Sequence, residues 1–253
     1  MIVRRRSRAA GNELHGRFRP RPGSDYVASG FALAAIIELV ERRRPASVLE
    51  VGAGIGTLTT AVVEASARAG RVGSHVAVEE IDFCLEQLQA NLGAQLDGVD
   101  VVPRAAEAPE GLAPYDLVII DGGATTDLLP ADQHRWTAAD ERGEVAAWMA
   151  HLAPGALVLV ENERAPQRAH VEAEATRPYA HEHVRPFDAG PGYHLYHFDP
   201  SPTTRLGVRA REALRALWFP RGIRLLRRAH VRVLRRPVPE RRAVAPGDQA
   251  GPA

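Results

Sequence analysis

The sequence predicts an α/β fold: a Rossmann-like, doubly wound, mostly parallel sheet of seven strands that ends in an antiparallel hairpin. Two patterns support this prediction. Short apolar strand runs alternate with helical repeats between residues 47 and 161, and a Gly-Pro-Gly sequence at residues 190–192 joins two aromatic-rich runs. Apolar residues make up 45% of the chain and charged residues 25%, which is typical of a globular protein and excludes a wholly disordered or fibrous chain.

The element order follows from periodicity. Residues 47–51 form an apolar run that ends in glycines and precedes a helical repeat at 57–68, which indicates strand, turn and helix. A leading helix is predicted at 26–43. The other strands are predicted at 75–79, 100–103, 117–120, 156–161, 183–187 and 193–198, and the other helices at 82–92, 141–152 and 166–177.

Charge divides the chain into segments. Residues 1–21 carry seven arginines and one acid, residues 22–204 carry 12 arginines and 27 acids, and residues 205–253 carry 13 arginines and three acids. We therefore predict a basic N-terminal segment at 1–24, one domain at 25–200 and a basic amphipathic helical extension at 201–236. The tail at 237–253 is rich in proline, glycine and alanine, which predicts disorder.

The cellular compartment is predicted from what the sequence lacks. Cys84 is the single cysteine, so no intrachain disulfide can form and a reducing cytoplasm is expected. The longest nearly apolar run, residues 31–40, is shorter than the roughly 20 residues that cross a bilayer. Arg4, Arg5 and Arg6 are not followed by an apolar stretch, so no export signal is expected.

The strongest motif is the glycine-rich turn after the first strand. Gly52, Gly54 and Gly56 allow a tight turn and a close approach of a ligand beside a helix N-terminus, which predicts a nucleotide-like ligand. A dinucleotide loop needs a small residue where Thr57 stands. The carboxylate of Glu50 favours a ligand that carries an ammonium group, which argues against NAD or FAD.

Three segments carry a resemblance to a known superfamily. Residues 49–56, the acid Glu79 and residues 115–122 resemble motifs I, II and IV of the class I S-adenosylmethionine-dependent methyltransferases, over roughly residues 25–200. The ending Ile-Ile-Asp-Gly-Gly and the leading helix are similar to those of small-molecule O-methyltransferases. The resemblance implies the cofactor S-adenosylmethionine and methyl transfer to a small-molecule acceptor, at oxygen.

The resemblance also implies roles for individual residues. The glycine turn would line the methionine and ribose parts of the cofactor, with Glu50 orienting the amino end. A carboxylate would accept both ribose hydroxyls, and Glu79 is expected there with Glu80 as the alternative. The adenine-contacting segment departs from the family pattern, and the backbone N–H of Ala106 and the side chain of Glu107 are the candidates. The predicted cofactor-binding residues are Glu50, Gly52, Ala53, Gly54, Gly56, Glu79, Ala106 and Glu107.

Two residues are predicted to act on the acceptor. Asp121 follows the fourth strand, where open α/β sheets place their ligands, and could position the acceptor or help to bind a metal. His134 lies in the loop beyond it and is the candidate base. Asp121, Glu161 and Asn162 would form only an incomplete Mg²⁺ site, so a metal is not expected.

Two other groups of residues are predicted to be structural. A cluster of histidines near the hairpin (His181, His183, His194 and His197) is expected to form cross-strand contacts rather than a zinc site. Cys84 is expected to pack inside the second helix of the alternating series as a small apolar residue.

The arginine-rich extension leaves alternatives open. Residues 205–236 could dock on the acidic domain, contact a membrane surface or bind nucleic acid. The second enzymatic hypothesis is accordingly a methyltransferase whose RNA or lipid-linked acceptor is held by this extension. The third is an inactive cofactor-binding module that recruits a partner. The formation of a homodimer is a further alternative.

Overall fold

The computed structural model describes residues 3–24, 27–70, 73–109, 114–122, 138–161, 164–184 and 192–214. Its strands are β1 Ser47–Val51, β2 Ser74–Val78, β3 Asp100–Val102, β4 Tyr115–Ile120, β5 Leu152–Glu161, β6 Tyr179–Val184 and β7 Tyr193–Phe198. They form one sheet in the order β3-β2-β1-β4-β5-β7-β6. The first five are parallel, and β7 lies antiparallel between β5 and β6. The predicted fold class is confirmed.

Helices cover both faces of this sheet. They are α1 Arg5–Phe18, α2 Gly30–Arg43, α3 Thr57–Arg68, α4 Asp82–Leu92, α5 Ala138–Met149 and α6 Ala165–Glu174. One core joins α1, α2 and α3 to one face of the sheet, and a second joins α5 and α6 to the other face. The central strand β4 contributes Leu117 and Ile119 to the first core and Val118 and Ile120 to the second. A central strand buried on both faces is typical of a parallel sheet.

Several predicted boundaries agree with the structure, and others are wrong for identifiable reasons. The ranges of β1, α3 and α4 are as predicted. Strand β5 begins earlier than predicted because Leu152 already pairs with Tyr115, across an irregularity that contains Pro154 and Gly155. Strand β6 is shifted from the predicted 183–187 to Tyr179–Val184, where its alternating side chains pair with β7.

The basic N-terminal segment forms a helix that the sequence did not predict. Its buried residues, Ser7, Gly11, Leu14 and Phe18, follow one another at helical spacing, but two of them are small and give a weak hydrophobic signal. A Cβ at Gly11 would lie 2.4 Å from the carbonyl oxygen of Gly30 and 2.5 Å from the amide nitrogen of Ala34. Helices α1 and α2 therefore cross with their backbones almost in contact.

A buried carboxylate fixes α1 to α2. Glu38 is fully buried and accepts hydrogen bonds from Ser7 Oγ over 2.7 Å and from Arg4 Nε over 2.8 Å. Burial alone would raise the pKa of Glu38, but the hydrogen bonds from Arg4 and Ser7 outweigh it and lower this pKa below the ordinary value of 4.5. Arg4 of the basic N-terminal segment thus has a structural role.

We expect Glu38→Gln to lower the free energy of unfolding by about 2 kcal/mol at neutral pH, because a charge-assisted pair becomes a neutral one. The pKa of Glu38 is lower in the folded state, so its contribution is complete above pH 4.5 and is lost as the pH falls through the folded-state pKa. Urea unfolding at neutral and acidic pH tests this, with the exposed Glu13→Gln in α1 as control at under about 1 kcal/mol. A difference from wild type that persists unchanged at acidic pH would contradict the assignment.

The described chain ends in a further helix. Residues 202–214 are helical, with Val208 buried and with 70% of Leu206 and 60% of Leu214 exposed. The rest of the predicted extension and the tail lie outside the described residues. None of the helices in the ranges described above has the length and apolar character that a bilayer span requires.

Candidate functional site

The glycine-rich turn, residues 52–56, lies at the carboxyl edge of the sheet and is held there by its own backbone. The N–H groups of Gly52 and Ala53 both donate to the carbonyl oxygen of Val78 over 3.0 Å. The N–H of Gly54 donates to Glu79 Oε2 over 2.7 Å, and that of Gly56 donates to the Ala53 carbonyl oxygen over 3.0 Å. The turn is therefore tied to the end of β2 without any ligand.

Two of the glycines are required by contacts inside the protein. Gly52 has φ +87°, and a Cβ there would lie 2.2 Å from Cα of Gly122, which follows β4. Gly56 has φ +91°, and a Cβ there would lie 2.4 Å from Leu92 Cδ1 in α4. The positive φ disfavours a side chain at both positions, and at Gly52 the contact with the Gly122 backbone also excludes one. Gly52 thus joins the ends of β1 and β4, where the two halves of the sheet meet.

Glu79 anchors the turn to α4. Its side chain is buried, with Oε2 accepting from Gly54 and with Oε1 accepting from the N–H groups of Glu80 over 3.0 Å and Ile81 over 2.9 Å. Burial raises the pKa of Glu79, and the three N–H groups oppose that rise. Three of the roughly four acceptor positions of the carboxylate are thus occupied within the protein. The sequence predicted a ribose contact here, and the structure leaves little of the carboxylate for one.

Glu50 is also occupied within the protein. It is fully buried in β1, with Oε1 accepting from Thr59 Oγ1 over 3.1 Å and Oε2 lying 2.9 Å from His75 Nε2. These contacts join β1 to α3 and β2 beneath the glycine turn. Both carboxylate oxygens therefore have partners inside the core, and the contact of Glu50 with a ligand's ammonium group stays a prediction.

A cavity of about 400 Å³ opens at the carboxyl ends of β2 and β3. Charged and apolar residues line it in equal number: Glu79, Glu80, Asp82 and Arg104, and Leu85, Val101, Val102 and Pro103. Apolar surface combined with polar groups is typical of a small-ligand site. This cavity begins where the glycine turn is tied to β2.

The segment after β3 is held by a residue that the sequence did not single out. Glu144 of α5 is buried, and its carboxylate accepts from the N–H of Ala105. The N–H of Ala106 also interacts with it and, like that of Ala105, partly offsets the rise in the pKa of Glu144 that burial causes. Ala106 and Glu107 stay the predicted adenine contacts in this segment.

Polar groups from three strands meet at the other half of the carboxyl edge. Asp121 follows β4, Glu161 ends β5 and Tyr193 begins β7, directly paired with Glu161. Burial raises the pKa of Tyr193 well above 10, and the charges of Asp121 and then Glu161 raise it further. Arg164 Nε donates to the backbone carbonyl of Asp121 over 2.9 Å. His134, the predicted base, and Asn162 lie outside the described residues.

The predicted structural residues are where the sequence placed them. His181, His183 and His194 stack across β6 and β7, with centroid distances of 4.9 Å for His181 and His194 and 4.2 Å for His183 and His194. Cys84 is fully buried, and burial followed by the charge of Glu79 raises its pKa to about 12. Within the described ranges, no group of three or more histidine, cysteine or acidic side chains is placed to hold a metal ion.

Comparison with known proteins shows what this chain is similar to. The family model of protein-L-isoaspartate(D-aspartate) O-methyltransferase (PCMT) matches residues 22–134. The Podospora anserina methyltransferase PaMTH1, solved with S-adenosylhomocysteine, is 17% identical with a TM-score of 0.54, over 76% of this chain and 88% of that one. The partial family match and the shared fold are consistent with the class I S-adenosylmethionine-dependent methyltransferase superfamily. No sequence among curated proteins matches it.

Two further solved structures share the fold of this chain. The O-methyltransferase TomG of Streptomyces achromogenes, in complex with S-adenosylmethionine, is 17% identical with a TM-score of 0.52, over 79% of this chain and 92% of that one. The O-methyltransferase of Bacillus cereus, in complex with S-adenosylhomocysteine, is 13% identical with a TM-score of 0.51, over 78% and 93%. The family match ends at residue 134, so it contains the glycine turn, the cavity and β4 but neither β5 nor β7.

Proposed function

We propose that this methyltransferase transfers the methyl group of S-adenosylmethionine to an oxygen atom of a small-molecule acceptor. The observation that carries the proposal is the arrangement along the carboxyl edge. A cavity at the ends of β2 and β3 and a group of polar side chains at the ends of β4, β5 and β7 lie on either side of the glycine turn. The half of the carboxyl edge at β2 and β3 fits a nucleoside, and the half at β4, β5 and β7 fits an acceptor.

The residues of the cavity fit the nucleoside part of this cofactor. Val101, Val102 and Leu85 offer apolar surface to a planar base, and acidic side chains offer acceptors to the two ribose hydroxyls. Glu80 is the better candidate for the ribose because its side chain lines the cavity while the Glu79 carboxylate holds three backbone N–H groups. The glycine turn would then face the remainder of the cofactor, with Glu107 near the base.

The acceptor half has an acidic character that favours neutral or cationic acceptors. Glu161 pairs directly with Tyr193 across β5 and β7, and burial and the charges of Asp121 and Glu161 raise the pKa of Tyr193. Residues 22–204 carry 27 acids against 12 arginines, which disfavours a polyanion on the surface of the domain. A small molecule that bears a hydroxyl group fits this half best.

Methyl transfer requires few catalytic groups from the protein. When bound, the cofactor supplies a methyl group already activated on a sulfonium, so the enzyme must hold the acceptor oxygen in line with that methyl. Asp121 would orient the acceptor hydroxyl and accept its proton as the oxygen attacks, because it lies beside the Gly52 and Gly122 contact. Oxygen as the acceptor atom is supported by the O-methyltransferases among the matched family and structures.

We expect Asp121→Asn to lower turnover about 100-fold and to leave the affinity for S-adenosylhomocysteine within about threefold, since a proton acceptor is lost while the cofactor half is intact. Methyl transfer is measured against a phenol, a catechol, a carboxylic acid, an isoaspartyl peptide, an RNA oligonucleotide and an anionic lipid. The exposed Asp97→Asn is the matched control. Equal losses in both variants would contradict the role of Asp121.

The same panel separates the alternatives. Turnover of RNA or lipid alone, lost when residues 205–253 are deleted, would establish the second enzymatic hypothesis. Binding of S-adenosylhomocysteine without methylation of any acceptor would favour the inactive cofactor-binding module.

A further inference from the structure

The segment between α1 and α2 lies directly on the glycine turn. Gly23 has φ +79°, and a Cβ there would lie 2.7 Å from Ile55 Cγ2 and 2.8 Å from Phe83 Cε1. Ile55 is the fourth residue of the turn and is fully buried. Residues 21–24 therefore cover the turn on the side formed by Ile55, although they precede it by more than 30 positions in the sequence.

This segment has a defined backbone. Arg21 N–H donates to the Phe18 carbonyl over 2.9 Å, and Ser24 N–H donates to the Arg21 carbonyl over 3.2 Å. Pro20 and Pro22 on either side of Arg21 restrict the unfolded chain and lower the entropy cost of this conformation. The Arg21 guanidinium also lies 5.9 Å from the Phe18 ring centroid. Arg21 is thus held at a fixed position.

Asn91 connects Arg21 to the glycine turn. Arg21 Nη1 donates to Asn91 Oδ1 over 2.8 Å, and Asn91 Nδ2 donates to the carbonyl oxygen of Ile55 over 2.8 Å. Because an amide has one acceptor end and one donor end, Arg21 determines which end of Asn91 faces the turn. Residues that are 70 positions apart in the sequence thereby act on one carbonyl group.

The Ile55 carbonyl belongs to a peptide unit whose oxygen and N–H are both hydrogen-bonded. Asn91 binds the oxygen of the Ile55–Gly56 peptide, and the N–H of the same peptide donates to the Ala53 carbonyl over 3.0 Å. Two hydrogen bonds on opposite sides of a planar group fix its rotation. The orientation of this peptide sets the positive φ of Gly56 and the start of α3.

We propose that Asn91, oriented by Arg21, is a positioning residue that holds the glycine turn in its cofactor-binding conformation, and that residues 21–24 are therefore part of the cofactor site. The inference rests on the proposed cofactor. It adds to the site a residue of α4 and an N-terminal segment whose side chains need not touch the cofactor. Loss of the Asn91 contact frees the Ile55–Gly56 peptide to rotate, and the cofactor must then restore its orientation on binding.

Titration calorimetry of the full-length protein with S-adenosylhomocysteine tests this. We expect Asn91→Ala to weaken binding about tenfold, the equivalent of one hydrogen bond. Asn91→Asp retains an acceptor for Arg21 but sets a carboxylate against the Ile55 carbonyl, so it should weaken binding at least as much. Arg21→Gln should weaken binding about threefold, and Arg19→Gln, which removes the same charge two positions away, should have no effect.

The coupling between the residues gives a readout that general destabilisation would not reproduce. The double variant Arg21→Gln with Asn91→Ala should bind no more weakly than Asn91→Ala alone, because Arg21 acts only through Asn91. Wild-type affinity in Asn91→Asp, or additive losses in the double variant, would overturn the proposal. Failure of the wild-type protein to bind would instead contradict the proposed function.

Discussion

Replacing Gly52 with alanine is expected to abolish cofactor binding and to lower the free energy of unfolding by about 4 kcal/mol. Part of this cost comes from an alanine at φ +87°, and the larger part from a Cβ that would lie 2.2 Å from Cα of Gly122. Neither backbone can withdraw without separating the ends of β1 and β4. Urea unfolding and titration with S-adenosylhomocysteine measure the two effects.

Gly70→Ala is the matched control for the cost of placing an alanine at a positive φ. Gly70 also has a positive φ, +67°, but nothing lies within 4 Å of the position that its Cβ would take. We expect this variant to lose about 1 kcal/mol and to bind the cofactor normally. If Gly52→Ala costs no more than Gly70→Ala, the contact between the ends of β1 and β4 is not what holds the site.

Glu79→Ala is expected to lower the free energy of unfolding by about 3 kcal/mol and to weaken binding of S-adenosylhomocysteine more than 100-fold. The substitution leaves the N–H groups of Gly54, Glu80 and Ile81 without their acceptor. It also removes the link between the glycine turn and the start of α4. Glu80→Ala is the control. It should leave stability unchanged and weaken binding about tenfold, because Glu80 lines the cavity without holding the turn.

The pH dependence of stability gives a second test of Glu79. Burial raises its folded-state pKa above the ordinary 4.5, so above pH 4.5 the unfolded chain has released a proton that the folded protein still holds. The contribution of Glu79 to stability therefore falls as the pH rises from 4.5 to the folded-state pKa. Glu79→Gln should abolish this part of the slope, measured by urea unfolding across that range. An unchanged slope would show that the carboxylate is not buried in solution.

The sheet could be predicted because its signals are local. Continuous apolar runs and helical repeats identified β1, α3 and α4 with their observed boundaries. The N-terminal helix α1 escaped detection because its buried stripe includes Ser7 and Gly11, whose small size serves a close helix contact and carries no hydrophobic signal. The charge pattern identified residues 1–24 only as a basic segment.

The sequence did not reveal which groups inside the protein contact the two acids near the glycine turn. Sequence motifs identified Glu50 and Glu79 as acids near the glycine turn, yet both use their oxygens inside the protein. The partners that decide this, Thr59, His75 and the N–H groups after β2, follow from the way in which β1, β2 and α3 pack. A spacing rule cannot distinguish an acid that supports a turn from one that faces a ligand, because both occupy the same place in the sequence.

Titration calorimetry of the wild-type protein with S-adenosylhomocysteine tests the central claim most directly. The preformed glycine turn and the cavity beside Glu80 predict one site per chain with a dissociation constant on the order of 10 µM. Absence of any heat with S-adenosylhomocysteine or S-adenosylmethionine, together with saturable binding of NADH, would contradict the account.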